Sequence, residues 1–213
     1  MGIQAAIELA EELSPEQLSG RVIVAPLVNV SGFARRTMSM VYEDGKNLNR
    51  EFPGKPEGTA ADQICYAIAS ELFPEADYYM DLHSGDGYEE MCSYVYYVGA
   101  AEEKIRRRSL EMARQVESGY LVESGCTTGG AYNYASMTGI PSILIERGGR
   151  GLWSRDEVEL DKCDIRRILK HLGILKEDGI PENQVKEQLV FHQVVYAHEP
   201  GGGGGDPACR AHA

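Results

Sequence analysis

The chain has 213 residues, 43% of them hydrophobic and 25% charged, with a formal net charge of -12 at neutral pH. That length and balance fit one globular domain of ordinary size, or a domain with a fragment of a second, and allow a sizeable core. A chain with a pI near 4.9 lacks the basic face that a nucleic-acid partner favours, and no apolar run is long enough to span a membrane or placed to act as a signal peptide. The expected setting is the cytoplasm, with neither a nucleic-acid nor a membrane partner; composition leaves the oligomeric state open. Cys65, Cys92, Cys126, Cys163 and Cys209 are odd in number and form no C-x-x-C pair, which argues against a disulfide framework or a thiolate zinc site.

The first element opens almost at once. Ala6, Leu9, Ala10 and Leu13 recur at helical spacing, and Ser14-Pro15 ends the run. Arg21 to Asn29, beginning Val22-Ile23-Val24, is β-branched and apolar, so it reads as a buried strand. Between Asn29 and Gly58 no long periodic segment appears, and the chain spends polar and special residues from Asp44 to Gly54 instead. A connection of that length inside a compact domain is usually functional or disordered, and the interleaved Leu48 and Phe52 suggest that it is packed down. A helix follows from about Ala60 to Leu72, with Ile64, Ala67, Ile68 and Leu72 on one face.

Asp77 to Gly85 reads as a strand that ends in a polar loop: apolar and aromatic residues lead into Asp81-Leu82-His83, and Ser84-Gly85 stops the run. Side chains of a strand alternate, so Asp81 and His83 share a face and Leu82 takes the other. Cys92 to Val98 is a Tyr- and Val-rich strand, Glu102 to Val116 a helix, Gly119 to Val122 a short strand, and Tyr132 to Met137 a short helix. The intervening Thr127-Thr128-Gly129-Gly130 lacks the lysine of a Walker loop, so a phosphate cradle is poorly supported. Ser142 to Ile145 is a strand running into Glu146-Arg147-Gly148-Gly149. Ser154 with Glu157 makes a capping box for a helix whose Ile165, Ile168, Leu169 and Leu172 face inward, and Leu189 to Ala197 reads as a last strand. The run Gly201 to Gly205 has the composition of a flexible linker. Alternating helices and strands predict an α/β layer fold.

Three polar groups sit at strand ends or in the long connection: Asn49-Arg50, His83 and Glu146. A metal hydrolase uses such a set: a neutral imidazole to ligate zinc, a carboxylate to take a proton from water, and a guanidinium whose planar fork matches a substrate carboxylate. Taken singly, Arg50 could pair with a surface acid and Glu146 could be a solvated residue beyond a strand; their joint placement in one α/β frame favours a site.

The runs D-G-K-N-L-N-R-E-F-P-G from Asp44, D-L-H-S-G from Asp81 and I-P-S-I-L-I-E up to Glu146 resemble those of the succinylglutamate desuccinylase/aspartoacylase family, zinc hydrolases related to the zinc carboxypeptidases. The resemblance covers about residues 1 to 200. It implies a three-layer α/β/α fold on a central mixed sheet, incomplete in this chain, and hydrolysis of an amide or related acyl bond of an N-acyl amino acid. By the same resemblance His83 is a zinc ligand, Glu146 the general base, and Asn49 with Arg50 the pair that binds a small-molecule carboxylate. Family members carry a Gly-rich His-x-x-Glu pair just before the helix that opens this chain, whereas here no histidine precedes His83. The expectation is therefore a chain truncated at both ends: residues 1–180 an α/β hydrolase-like domain without its N-terminal strands, 181–200 the start of a C-terminal β domain, and 201–213 a Gly-rich tail. The zinc site would be incomplete, with activity of the chain as it stands in question, and the sheet would be left with an apolar edge beside Val22 to Val28. The competing expectation is a non-catalytic homologue that binds a small carboxylate through Arg50 and Arg147, or a protein partner.

Overall fold

The computed structural model describes residues 1–192. Five strands form one mixed sheet in the order β1-β4-β2-β3-β5: β1 is Tyr79–His83, β2 Tyr94–Val98, β3 Tyr120–Ser124, β4 Ser142–Glu146 and β5 Leu189–Phe191. β1 runs parallel to β4, β4 antiparallel to β2, and β2, β3 and β5 parallel to one another. Helices α1 (Gly2–Glu12), α4 (Glu103–Ala113) and α6 (Arg155–His171) cover one face, and α3 (Ala60–Ala67) with α5 (Ala131–Met137) covers the other; a short α2 spans Val30–Arg35. The three-layer α/β/α expectation with a mixed central sheet is met.

Strand alternation divides the core. On one face Val95, Tyr97, Leu121, Ile143 and Ile145 pack against Met112 of α4 and Ile168 of α6. The edge residues Met80 and Leu82 add to a cluster of Leu9 from α1 with Ile165 and Leu169 from α6. On the opposite face Tyr96, Val98, Val122 and Leu144 meet Tyr132 of α5. Every residue of β4 is buried, as a strand covered on both faces must be. Ser154 caps α6 by accepting the Glu157 amide at 3.2 Å, the arrangement its capping box predicted.

Two elements differ from the reading of the sequence. Arg21 to Asn29 forms no strand: none of the described strands pairs with it, and Ile23 and Val28 are 49% and 40% exposed. A β-branched run has the propensity, but a strand exists only where a neighbour takes up its backbone groups. The helix expected to run to Leu72 is α-helical only to Ala67, widens into a π turn over Ile68–Leu72 and tightens at Phe73–Glu75, where Pro74 prevents its continuation. Residues of the last predicted strand beyond 192 lie outside the described residues, as does the Gly-rich tail.

The connection from Asp44 to Gly54 is held by polar contacts rather than by periodic structure. Asp44 accepts the amides of Lys46 at 3.1 Å and Ala61 at 2.7 Å, and the Lys46 ammonium bridges Glu51 at 3.0 Å and Asp62 at 2.7 Å. Gly54 has φ of +76° and lies so close to α3 that a Cβ would meet the Asp62 carbonyl at 2.1 Å, so only glycine fits there.

Two outcomes test these constraints. Lys46 and the Thr59 groups hold the Asp62 carboxylate down at about 2, so its stabilisation is present above the unfolded carboxylate range and is lost as pH falls toward 2. Asp62→Asn is therefore expected to lower Tm at pH 7 and to show a shrinking deficit as the pH approaches 2; a constant deficit would place its effect outside the charge. The Arg147 guanidinium is buried between Asp161 and Asp164, 2.5 Å from the latter. Arg147→Ala takes the guanidinium from buried Asp161, while Asp164 keeps its ion pair with Arg167, and is expected to cost about 3–5 kcal/mol in urea unfolding.

Candidate functional site

β1 and β4 lie side by side in parallel, with His83 directly opposite Glu146 and Asp81 opposite Leu144. Their carboxyl ends therefore bring a histidine and a carboxylate to one end of the sheet, where open α/β sheets hold ligands. Asp81 and His83 share a face as expected, and Leu82 turns to the opposite core. His83 Nε2 stands 3.2 Å from Asp81 Oδ1, and its Nδ1 stands 3.8 Å from Glu146 Oε1.

Asn49 joins this cluster to the rest of the molecule. Its Nδ2 lies 3.3 Å from His83 Nε2, and its Oδ1 accepts the Ala131 amide at 2.8 Å. Asn47 fixes the Asn49 backbone by accepting its amide at 2.9 Å, and Phe52 donates its amide to Gly129 at 3.0 Å. The polar connection, β1 and the loop entering α5 are thus stitched together around one amide side chain. Arg50 follows and donates to the Asn49 carbonyl at 2.8 Å. Together Asn49 and Arg50 line a cavity of about 170 Å³, walled by Ser124, Cys126, Thr128, Tyr132 and Asn133. Of the four site residues read from the sequence, Asn49 and Arg50 line this cavity, and His83 and Glu146 stand next to it through the Asn49–His83 contact.

The electrostatics of the cluster are set by burial and by mutual charge. Glu146 is the final residue of its strand rather than a solvated residue beyond it, and it is only 3% exposed. Burial pushes its carboxyl up; the His83 charge opposes this, Asp81 and Glu89 add to it, and the result is about 7. Burial would lower the His83 imidazole, but the Asp81 and Glu146 carboxylates outweigh that, and it is raised to about 9. Asp81, facing His83, is correspondingly lowered against its own desolvation.

Arg147, expected as a second carboxylate binder, is not in the site. Alternation sends it to the face opposite Glu146, where Asp161 and Asp164 take its guanidinium. The reading of the sequence noted Thr127 to Gly130 only as a poorly supported phosphate cradle and did not place Ser124, Cys126, Tyr132 or Asn133 in the site, because they have no spacing of their own. It also left Asp81 outside the site, although its position two residues from His83 on one face was legible.

The expected zinc ion can be tested against these side chains. Zinc takes three or four protein ligands, and here one imidazole is flanked by a carboxylate engaged with it and by an amide. Among the described residues no group of three His, Cys, Asp or Glu side chains is placed to hold a metal ion. The residues described do not make up a zinc centre.

Comparison with known proteins places this arrangement. The model of the succinylglutamate desuccinylase/aspartoacylase catalytic domain matches residues 1–172. The chain is similar to the N-alpha-acetyl-L-2,4-diaminobutyric acid deacetylase of Halomonas elongata, 29% identical over 179 residues, covering 82% of this chain and 52% of that protein. Among solved structures it is similar to the product-bound ectoine utilization protein EutE (DoeB) from Ruegeria pomeroyi, with a TM-score of 0.80, 29% identity and coverage of 91% of this chain and 58% of that one. A succinylglutamatedesuccinylase/aspartoacylase from Rhodobacter sphaeroides gives a TM-score of 0.76 at 28% identity, covering 83% of this chain and 52% of that one. The chain thus spans about half the length of the relatives it matches. With a family model matched over most of its length, at the strands and connection that carry its polar cluster, the chain belongs to the succinylglutamate desuccinylase/aspartoacylase family.

Proposed function

We propose that this chain carries the substrate-handling and proton-handling residues of a hydrolase that cleaves the acyl–nitrogen bond of a small N-acyl amino acid. The observation that carries the reading is the convergence of Glu146, His83 and Asn49-Arg50 beside one cavity. The deacetylase activity named for the Halomonas relative supports it.

The residues divide the work as follows. Arg50 pairs with the substrate carboxylate through its planar fork, and Asn49, locked by Ala131, holds the neighbouring backbone in register. Glu146 takes one proton from the attacking water as its oxygen bonds to the acyl carbon. It then passes that proton to the leaving nitrogen as the carbon–nitrogen bond breaks, giving a carboxylic acid and an amine. Asp81 holds the His83 ring against the cluster. Zinc enters this reading only by the family resemblance: His83 would be one ligand, the described residues supply no complete set, and no step is routed through the metal.

A second reading has its own observation. The lack of a three-ligand group among the described residues favours a carboxylate-binding homologue without turnover.

Release of free amine from N-acetyl amino acids by the purified chain separates the two. Glu146→Gln is expected to lower kcat by about 10²–10⁴-fold, the range for a lost general base, while leaving substrate binding in place. No turnover by the parent chain, with binding retained, would leave the non-catalytic reading standing. Arg50→Ala is expected to raise KM at least tenfold; an unchanged KM would remove Arg50 from substrate binding. Elemental analysis is expected to find well under one zinc per chain. One zinc per chain, lost in His83→Ala, would show that further residues complete the centre.

A further inference from the structure

Between Glu16 and Glu43 the chain contains no Asp, Glu or Lys, although it carries 33 acidic residues in all. The charges of that stretch are Arg21, Arg35 and Arg36. Arg21 pairs with Glu75 at 2.6 Å, whereas neither Arg35 nor Arg36 has a carboxylate partner among the described residues. Each lies over an aromatic ring instead: Arg35 is 5.0 Å from the centre of the Tyr42 ring and Arg36 is 5.4 Å from that of Phe33. Phe33, Met38, Met40 and Tyr42 are all exposed. The result is a face that is apolar, aromatic and cationic together. Glu43, at its border, is engaged by the Ser31 hydroxyl at 2.5 Å.

This face is held in one shape by local contacts. Asn29 caps α2 by accepting the Gly32 amide at 3.0 Å and donates its own side-chain amide to the Met40 carbonyl at 3.0 Å. The Thr37 hydroxyl donates to the same carbonyl at 2.5 Å. Gly32 packs so closely there that a Cβ would meet the Met40 oxygen at 2.5 Å. Arg36 and Met38 have φ of 59° and 55°, uncommon for residues with a side chain and found where surrounding contacts enforce them. Met40 also bridges to Asn47, which makes the face continuous with the connection that carries Asn49 and Arg50.

We propose that this face docks a protein partner through an acidic and apolar segment. Its carboxylates would sit on Arg35 and Arg36, and its hydrophobic residue among Phe33, Met38, Met40 and Tyr42. Aromatic residues, Met and Arg are enriched at the cores of protein interfaces, while Lys, Asp and Glu are depleted, and this stretch has both marks. Charge complementarity fixes the kind of partner. A guanidinium already laid on a ring loses little freedom in taking a carboxylate in its planar fork. A second copy fits less well, because an isologous contact would set the guanidiniums of one copy against those of the other.

The test selects ligands from random peptides displayed on phage, with the full chain immobilised, and then titrates the enriched peptides into the chain in solution. A net charge of -12 attracts basic peptides non-specifically, so selection of acidic ones runs against the overall field. The expected result is peptides with carboxylates beside an aromatic or aliphatic residue, bound roughly tenfold or more weakly by Arg35→Glu/Arg36→Glu, as when hot-spot contacts are lost. Met38→Ser keeps both guanidiniums and is expected to weaken the same peptides. All three substitutions are at exposed positions, where an unchanged Tm verifies that the fold is kept. Enrichment of basic peptides, of acidic peptides that the double variant binds equally, or of none overturns the inference. A dimer in light scattering that the double variant abolishes would assign the face to a second copy and overturn it as well.

Discussion

The molecule depends on the burial of β4 on both faces. A strand covered on both sides has no solvent-facing side chains, so any charge it carries needs partners supplied by the protein. β4 ends in one such charge, Glu146, and Arg147 follows directly. Alternation delivers Glu146 to the face of Leu144 and α5, where His83 stands opposite, and Arg147 to the face of α6, where Asp161 and Asp164 receive it. The guanidinium is satisfied and structural, tying the strand end to the helix behind it. The carboxylate faces the His83 imidazole at 3.8 Å with other anions nearby, and burial raises it to about 7. One residue fastens the strand end, and its neighbour carries a perturbed titratable group at the sheet's end.

The second constraint is the way a segment without regular structure is made rigid. The Asp44 to Gly54 connection has backbone polar groups that helix or sheet would ordinarily satisfy. Here Asp44, Lys46, Asn47 and Asn49 supply side-chain partners, and Gly54 lets the chain pass against α3. Asn49 spends its oxygen on the loop entering α5 and packs its amide nitrogen 3.3 Å from His83, so loop and cluster are positioned around the same side chain. Arg50 inherits its place from this arrangement. Substrate recognition is then a property of backbone register, maintained by several modest hydrogen bonds acting together.

Family membership and the composition of the site bear on different questions. The matched family model and the related structures account for the three-layer frame and for why the polar cluster stands at strand ends. The cavity wall is read from this chain alone, where Arg50 stands among neutral polar groups.

Much of the site was written in the sequence. Period-two alternation in Asp81-Leu82-His83 and helical spacing in α1 and α6 are local properties, fixed by backbone geometry wherever the chain adopts those forms. The polar run around Asn49-Arg50 was likewise visible as a long connection rich in special residues. What only the tertiary structure decided were the matters that depend on a neighbour. The Arg21 to Asn29 run has every local mark of a strand and forms none among the described residues, because β pairing is a contact between segments and propensity cannot supply the partner. Arg147 and Glu146 are adjacent in sequence and equally polar, and their roles part only because α6 offers two carboxylates to one face and β1 an imidazole to the other. Sequence determined which residues could share a face; packing determined which of them found a partner.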